Sequence, residues 1–190
     1  MDEPGGRDVL ALVEAALQQH FGQVPARASV SFVGVDPIEI LRFEPVPGER
    51  AYLSLGMARH PMTAATETLQ HSDGPRAELM LHVRDPVDAF ADVWRSLSVL
   101  AASPAVEGVV YAAGMTVDTG QPLAAGSRCT GGVLVASPVS AIPTPAATVD
   151  VLQLVPATSN ELAWCRVQGS AALRDRWAAQ GRDLLDLSRP

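Results

Sequence analysis

The nine residues RAELMLHVR, from Arg76 to Arg84, carry the clearest structural signal in the sequence. Apolar side chains alternate with polar or mixed ones along this stretch, at Ala77, Leu79, Leu81 and Val83. Alternation with a period of two predicts a β-strand with one face on a core. Asp85 and Pro86 follow directly and predict the start of a helix, because Asp caps helix N-termini and Pro is tolerated at the first helical position. This helix is expected to end near Ser103-Pro104.

On either side of this unit, several strands follow one another without intervening helices. We expect strands over 28–33, 38–43, 51–57, 109–112, 115–117, 132–136 and 149–155. Helices are expected over 9–21, from the Thr158-to-Glu161 capping box to about 167, and over 171–180. This order predicts an α+β fold, with a mixed, largely antiparallel β-sheet flanked by helices. We expect a single domain over 1–190, with a core over about 25–180 and flexible tails at 1–7 and 182–190.

Composition excludes several classes of function. The chain has 190 residues and a formal net charge of −7, and all fourteen basic residues are arginine. Without lysine there is neither a P-loop nor a Schiff-base nucleophile. The acidic balance argues against a nucleic-acid surface. No signal peptide and no apolar run of about 20 residues is present, so we expect a cytoplasmic protein that does not bind membranes. Cys129 and Cys165 are then expected to be free thiols.

Two segments resemble parts of catalytic sites. Val117-Asp118-Thr119-Gly120 matches the core of the aspartic-protease signature, whose chemistry needs two carboxylates that share a proton, and only a homodimer could supply the second. Cys129 lies beside Arg128 in a glycine-rich segment, but no pattern assigns a histidine as its base. A turn at Asp118 and a structural role for Cys129 are favoured. A hydrolase that uses Asp118 or Cys129 is the first alternative function.

The histidines lack the spacing of a local metal site. His60, His71 and His82 recur every eleven residues, and none forms a close pair of the His-x-x-x-His type. We therefore predict no metal and no cofactor. A site assembled from all three histidines in the folded protein is the open alternative.

Three long polar segments interrupt the predicted strands, at 58–75, 118–131 and 138–148. Loops of this length are commonly functional or mobile. The sequence leaves open whether the three loops form one surface.

Four segments, taken in order, carry a resemblance to a known family. They are Tyr52-Leu-Ser-Leu-Gly56-Met57, Arg76-Ala-Glu78-Leu79-Met-Leu81, Gly114-Met115-Thr116-Val117 and Val155-Pro156-Ala157-Thr158-Ser-Asn-Glu161-Leu162. Their order and spacing resemble the suppressor of fused domain family over roughly 25–180. Ala58 and Ala157 depart from the family pattern, which commonly has serine and leucine or isoleucine there. The chain has room for only the first domain of the two-domain animal protein, so the peptide cleft between those domains is not carried over.

The resemblance implies a protein-binding module and not an enzyme. For a single-domain bacterial member it implies an immunity protein that binds and neutralises a toxin, and the acidic charge favours a basic partner. A homo-oligomeric structural protein is the second alternative, and the sequence does not give the oligomeric state. The residues that match the family motifs are Tyr52, Gly56, Met57, Glu78, Leu79, Gly114, Thr116, Pro156, Glu161 and Leu162.

Structural roles are favoured for three of these motif residues. We expect a strand-end bend at Gly56, an ion pair between Glu78 and an arginine across strands, and a capping box at Glu161. Protein contacts are expected in the loop that follows the strand over 51–57, at Arg59, His60 and Met62, because a strand end gives a loop rigid support.

Overall fold

The computed structural model describes residues 4–66 and 74–189. Within these ranges the chain forms four α-helices, which are α1 (Pro4–Phe21), α2 (Val93–Glu107), α3 (Ser159–Gln168) and α4 (Ser170–Ala179). The same ranges contain eight strands, which are β1 (Ala26–Val30), β2 (Ile38–Phe43), β3 (Glu49–Leu55), β4 (Arg76–Arg84), β5 (Thr116–Asp118), β6 (Cys129–Ala136), β7 (Ile142–Pro143) and β8 (Thr148–Thr158). None of these helices combines the length and the apolar character that a membrane span needs.

All the strands belong to one mixed sheet. Its order is β1-β2-β3-β4-β8-β6-β5, and the short β7 also pairs with β8. The β4–β8 pair is parallel, with Arg76 opposite Val149 and Leu81 opposite Leu154, whereas the other strand pairs are antiparallel. The predicted α+β class, with a mixed, largely antiparallel sheet flanked by helices in a single domain, is confirmed.

Helices cover both faces of the sheet. Helix α2 packs on one face through Val93, Leu97 and Ala101. Helix α1 packs on the other face, over Leu41, Leu53 and Met80 among others, at the end where β8 begins. Helices α3 and α4 lie on the α1 side of β8 over its far end, because Val155 and Ala157 continue the alternation of Val149 and Val151.

The helix predicted to start at Asp85 begins later, at Val93. Residues 85–92 form turns, and the Asp85 carboxylate accepts a hydrogen bond from the Phe90 N–H at 3.0 Å without starting a helix. The helix also runs past its predicted end and continues to Glu107, with Pro104 inside it. Proline cannot donate to the Leu100 carbonyl, and the Tyr111 hydroxyl donates to it at 3.0 Å. A distant side chain thus supplies the bond that Pro104 removes.

Other boundaries shift for identifiable reasons. The expected strand over 109–112 is an extended loop, although its Tyr111 side chain is buried. Helix α1 starts at Pro4, so the N-terminal tail predicted for 1–7 is partly helical, and residues 1–3 lie outside the described ranges. The last strand is four residues longer than predicted, because Thr148 pairs with β7 and residues 156–158 still pair with β6.

The C-terminal segment is not the flexible tail that we expected from 182 onwards. The Leu185 carbonyl accepts a hydrogen bond from the Arg84 N–H at 2.8 Å, and the Leu187 carbonyl accepts one from the Arg128 N–H at 2.9 Å. The Leu187 side chain is fully buried, and Arg189 is 4% exposed. Residues 182–189 therefore close one end of the core, and sequence periodicity did not reveal this because the segment is too short and irregular to carry a pattern.

Candidate functional site

A buried carboxylate organises the loop that follows β3. The Glu78 side chain has no exposed surface. One of its oxygens accepts a hydrogen bond from the Ser54 hydroxyl, and the other accepts from the N–H groups of Gly56 at 2.8 Å and Ala58 at 3.0 Å. Among the described residues no arginine lies within ion-pair distance of Glu78, so the expected cross-strand ion pair is wrong.

Two competing effects act on the Glu78 carboxyl. Burial raises its pKa, while the Ser54 hydroxyl and the backbone N–H groups favour the charged form and oppose this rise. The net direction is upward. This carboxylate therefore holds the loop at an energetic cost, which is typical of a group that fixes one backbone conformation.

The expected bend at Gly56 is confirmed. Its φ is +141°, and a Cβ there would lie 3.0 Å from the Pro37 carbonyl oxygen and 3.2 Å from the Ile38 Cα. After this bend Met57–Arg59 form a single 3-10 turn. Arg76 holds the far side of the turn, because its guanidinium donates to the carbonyls of Ala58 at 2.9 Å and Arg59 at 2.6 Å. The turn is thus bonded through its N–H groups by Glu78 and through its carbonyls by Arg76.

Of the three predicted contact residues, Arg59 is the last residue of this turn and the other two follow it, and the three differ in exposure. The His60 side chain is 60% exposed, and its Nε2 lies 2.9 Å from Asp36 Oδ2. The Arg59 side chain is 19% exposed, and its Nε lies 3.7 Å from the same oxygen. The hydrogen bond from His60 and the charge of Arg59 lower the pKa of Asp36, against the opposing effect of burial. Met62 is buried, so its side chain packs in the core and does not point outward.

A groove of about 410 Å³ lies beside this turn. Its walls come from the β1–β2 loop, the segment over 56–63 and the C-terminal half of α2. Asp36 and His60 supply its polar edge, and Met57, Met62 and Pro104 supply apolar surface. The structure therefore brings His60 and Met62 to one concave surface, with the methionine as part of its floor.

A second carboxylate anchors the opposite end of the sheet. Glu161 forms the predicted capping box with Thr158, which is confirmed, and one oxygen accepts from the Thr158 N–H at 2.8 Å. Its other oxygen accepts from the Trp177 indole N–H at 2.6 Å and from the Arg189 guanidinium at 2.7 Å. Burial raises the pKa of Glu161, but the hydrogen bonds from Arg189, Thr158 and Trp177 outweigh it, and the pKa is lowered. Arg189 also donates to the Pro156 carbonyl at 2.5 Å.

The remaining motif residues lie within the framework. Tyr52, Met57, Leu79 and Leu162 are buried core residues. Thr116 pairs with Val133 on the edge strand β5, and Pro156 pairs with Gly132. The Gly114 N–H donates to the Leu134 carbonyl at 2.7 Å.

Sequence reasoning missed four residues that hold these segments. Two of them, Ser54 and Arg189, bind the anchoring carboxylates, and the other two bind the turn and the residues beside it. Ser54 and Arg76 lie inside the quoted motif segments, but strand alternation says nothing about hydrogen bonds that leave the ladder. Asp36 lies in a turn, and Arg189 lies in the segment predicted to be flexible. None of these four residues shows a local pattern that assigns it to the site.

The structure brings two of the three long loops together. Because β4 and β8 are parallel, the described residues of the loops that precede them, at 58–66 and 74–75 and at 138–148, lie at the same end of the sheet. A cavity of about 540 Å³ between them is lined by Met62 and Pro75 on one side and by Ser137, Val139 and Ser140 on the other. The loop over 118–131 precedes β6, whose first residue Cys129 is opposite Thr158 at the other end of β8. The third loop is therefore on a separate surface.

Comparison with known proteins gives the family. The chain matches the family model described as "Suppressor of fused protein (SUFU)" over residues 34–190, which is most of its length. The chain belongs to the suppressor of fused family. The membership that the motif segments predict is thus confirmed, although no curated protein sequence matches this one.

Solved structures share the suppressor of fused fold with this chain at low sequence identity. A crystal structure of a suppressor of fused homologue from Neisseria gonorrhoeae is 17% identical, with a TM-score of 0.70, and the match covers 97% of this chain and 96% of that one. A chain in the crystal structure of the Sufu–Fu complex is 16% identical, with a TM-score of 0.66 over 100% of this chain and 92% of that one. Drosophila Suppressor of Fused is 16% identical, with a TM-score of 0.64 over 98% of this chain, which spans 50% of the Drosophila chain.

Within this suppressor of fused fold, Asp118 forms a turn. One oxygen of its carboxylate accepts from the Gly120 N–H at 3.1 Å, and the other lies 3.4 Å from the Arg166 guanidinium. Gly120 has a φ of +68°, which the turn requires. The residues that match the aspartic-protease signature therefore form a local turn that ends the edge strand β5.

Cys129 has no exposed surface at the start of β6. Burial raises the pKa of its thiol to about 11, and the Arg189 charge only partly opposes this. A thiol with this pKa is protonated at neutral pH and is a poor nucleophile. Cys165 is also buried, and both cysteines are free, as expected.

The histidines do not assemble a metal site in the part of the chain that is described. His60 faces Asp36, and His82 Nε2 lies 2.9 Å from Glu49 Oε2. His71 lies outside the described ranges. Over 4–66 and 74–189 no group of three His, Cys, Asp or Glu side chains is arranged to hold a metal ion.

Proposed function

We propose that this suppressor of fused family member is a non-enzymatic protein-binding domain that presents Arg59 and His60 to a partner protein. The observation that carries the proposal is the buried Glu78 carboxylate, which fixes the backbone of the turn that ends at Arg59. A surface loop whose backbone is already ordered loses little conformational entropy on binding, and this favours affinity. The groove of about 410 Å³ beside His60 gives the partner a concave surface to fill.

We propose that the partner is a basic protein, and that this protein is a toxin which the domain neutralises. The chain carries a net charge of −7, which accelerates association with a positively charged protein and makes binding sensitive to salt. A structural neighbour is found in a complex of Sufu with Fu, so a protein partner has a precedent on this fold. The proposed location is the cytoplasm.

Two observations support a binding function over the hydrolase alternative. The Cys129 thiol is buried with a raised pKa, and the Asp118 carboxylate accepts a hydrogen bond from the Gly120 N–H of its own turn.

The test begins with affinity capture from the native lysate at low and moderate salt, followed by mass spectrometry. The captured protein is then purified and titrated calorimetrically against the wild type, the double variant R59A/H60A and the control variant Q121A. Gln121 is exposed on the separate third loop, so its truncation should leave affinity unchanged. We expect the double variant to bind at least about tenfold more weakly. Equal affinity of R59A/H60A and Q121A for the captured protein would refute the assignment of the contact site to this loop.

A separate experiment tests whether the partner is a toxin. Co-expression of the domain with its captured partner should rescue growth if the partner is a toxin, and R59A/H60A should rescue less well than Q121A. Light scattering addresses the homo-oligomer alternative: we expect one mass, that of a monomer, at all concentrations.

A further inference from the structure

A second cavity, of about 260 Å³, lies at the N-terminal end of α2. Its floor is formed by Ala26, Ala28 and Ile40 of β1 and β2, and Trp94 of α2 forms a wall. Strand β1 contributes the small side chains of Ala26 and Ala28, which leave space between α2 and the sheet. It also contributes Arg27, whose guanidinium pairs with Glu14 and Glu39. The groove beside His60 is at the opposite end of α2, and the two sites share none of the residues that line them.

Tyr52 lines this cavity, and its buried hydroxyl has no partner among the described residues. Tyr52 is 2% exposed, and among the described residues nothing accepts from or donates to its hydroxyl. A buried hydroxyl that forms no hydrogen bond costs free energy, and such groups are uncommon in folded proteins. Burial also raises the pKa of this phenol, so it is a proton donor at neutral pH.

One guanidinium group without a carboxylate partner lines the same cavity. Arg42 lies directly across from Tyr52 in the β2–β3 ladder, its side chain is exposed, and no carboxylate of the described residues pairs with it. In a chain with a net charge of −7, an unpaired cation beside an aromatic wall forms a local site for an anion.

We propose that this cavity binds a carboxylate attached to a flat apolar group. The Tyr52 hydroxyl donates to one carboxylate oxygen, and the Arg42 guanidinium pairs with the charge. The apolar group packs against Trp94 and the alanine floor. Arg42 can move to admit the ligand, because no ion pair holds its side chain. The carboxylate can come from a small organic acid or from the C-terminus of a polypeptide, since both present the same chemistry.

Phenylacetate is the probe, and the indole N–H signals of Trp94, Trp164 and Trp177 report binding by nuclear magnetic resonance. We expect a saturable shift of the Trp94 signal alone, and at least about tenfold weaker binding of the neutral phenylacetamide, because the charge-assisted hydrogen bonds are lost. Acetyl-Gly-Gly-Phe with a free carboxylate, compared with its amide, tests the polypeptide source. Binding of this peptide assigns a chain terminus, and its failure beside phenylacetate binding assigns a small acid.

Variants test the roles of the two polar groups. We expect R42Q to weaken phenylacetate binding at least about tenfold and Y52F about fivefold. R128Q removes the same charge from an exposed arginine elsewhere and should leave the affinity unchanged. Y52F should fold normally, because its hydroxyl has no partner to lose. The proposal is overturned if phenylacetate produces no saturable shift, if phenylacetamide binds equally well, or if R42Q and R128Q behave alike.

Discussion

Replacing Glu78 with alanine tests the claim that this carboxylate fixes the binding loop. The substitution leaves three buried groups without their acceptor: the Ser54 hydroxyl and the N–H groups of Gly56 and Ala58. Each unsatisfied buried polar group costs about 1–3 kcal/mol. The desolvation that raises the pKa of Glu78 is relieved at the same time and returns part of this loss.

We therefore expect E78A to lower the free energy of unfolding by about 3 kcal/mol, the lower end of the summed range. For a chain of 190 residues this corresponds to a fall in melting temperature of about 6–12 °C. Chemical denaturation gives the free energy, and differential scanning calorimetry gives the melting temperature. Affinity for the protein partner should fall as well, because Arg59 ends the released turn and His60 follows it.

The matched control is E78Q. Its amide oxygen can still accept from Gly56 and Ala58, and its amide nitrogen can donate to Ser54, so we expect stability within about 1 kcal/mol of the wild type. The pH dependence has a definite sign. Because the folded-state pKa of Glu78 is raised, the folded protein holds this proton more tightly than the unfolded chain does. Its contribution to stability therefore falls as pH rises above about 4.3, and E78Q should lack this component.

Two results would refute the reasoning about Glu78. One is an E78A protein whose free energy of unfolding is within about 1 kcal/mol of the wild type, since three unsatisfied buried groups should cost more than that. The other is an E78Q protein as unstable as E78A, which would show that the negative charge and not the hydrogen-bond geometry holds the turn.

The remaining predictions concern the other sites. E161Q should destabilise the protein by about 2–3 kcal/mol in urea denaturation, because the buried Arg189 loses its carboxylate; since the pKa of Glu161 is lowered, the wild-type contribution should be present above about pH 4.3 and be lost as pH falls further. The Cys129 thiol should react with an aromatic disulfide reagent only as fast as the protein unfolds, and faster labelling would contradict its burial and its pKa of about 11. D118N should change stability by less than about 0.5 kcal/mol and abolish no activity. Y52F should raise the free energy of unfolding by about 1 kcal/mol, and a loss of stability would show that the hydroxyl has a partner.

The parts of the fold that followed from the sequence are those with an uninterrupted local pattern. Strands β2 and β4 have the predicted bounds, because alternation persists to both ends. Helix α3 starts at its capping box. Helix α2 begins and ends later than predicted, because Asp85-Pro86 and Pro104 are local signals that tertiary contacts override. The Tyr111 hydroxyl replaces the N–H that Pro104 lacks. This hydrogen bond joins a loop residue to a helix carbonyl, and the periodicity of the sequence does not indicate such a bond.

The site was predictable in position but not in chemistry. The motif segments located Gly56, Glu78 and Glu161, and strand-end reasoning pointed to the loop with Arg59 and His60. The partners of the two carboxylates come from other segments, such as Ser54 from the neighbouring strand and Arg189 from the end of the chain. The polar loop predicts that Met62 is a surface contact, yet its side chain is buried beneath the groove.

The parallel pairing of β4 with β8 has a consequence for biosynthesis. Strand β4 ends at Arg84, whereas β8 runs from Thr148 to Thr158, so the ribosome must add 74 residues before the partner strand is complete. At ordinary elongation speeds this takes about 4–15 s. During that interval one edge of strand β4, along which apolar residues alternate with polar or mixed ones, has no neighbour, and such an edge can pair with another nascent chain. A transcript broken before the codons for 148–158 would yield a polypeptide with that edge permanently open. Such fragments are expected to aggregate and to depend on chaperones, whereas the full-length product closes its own sheet.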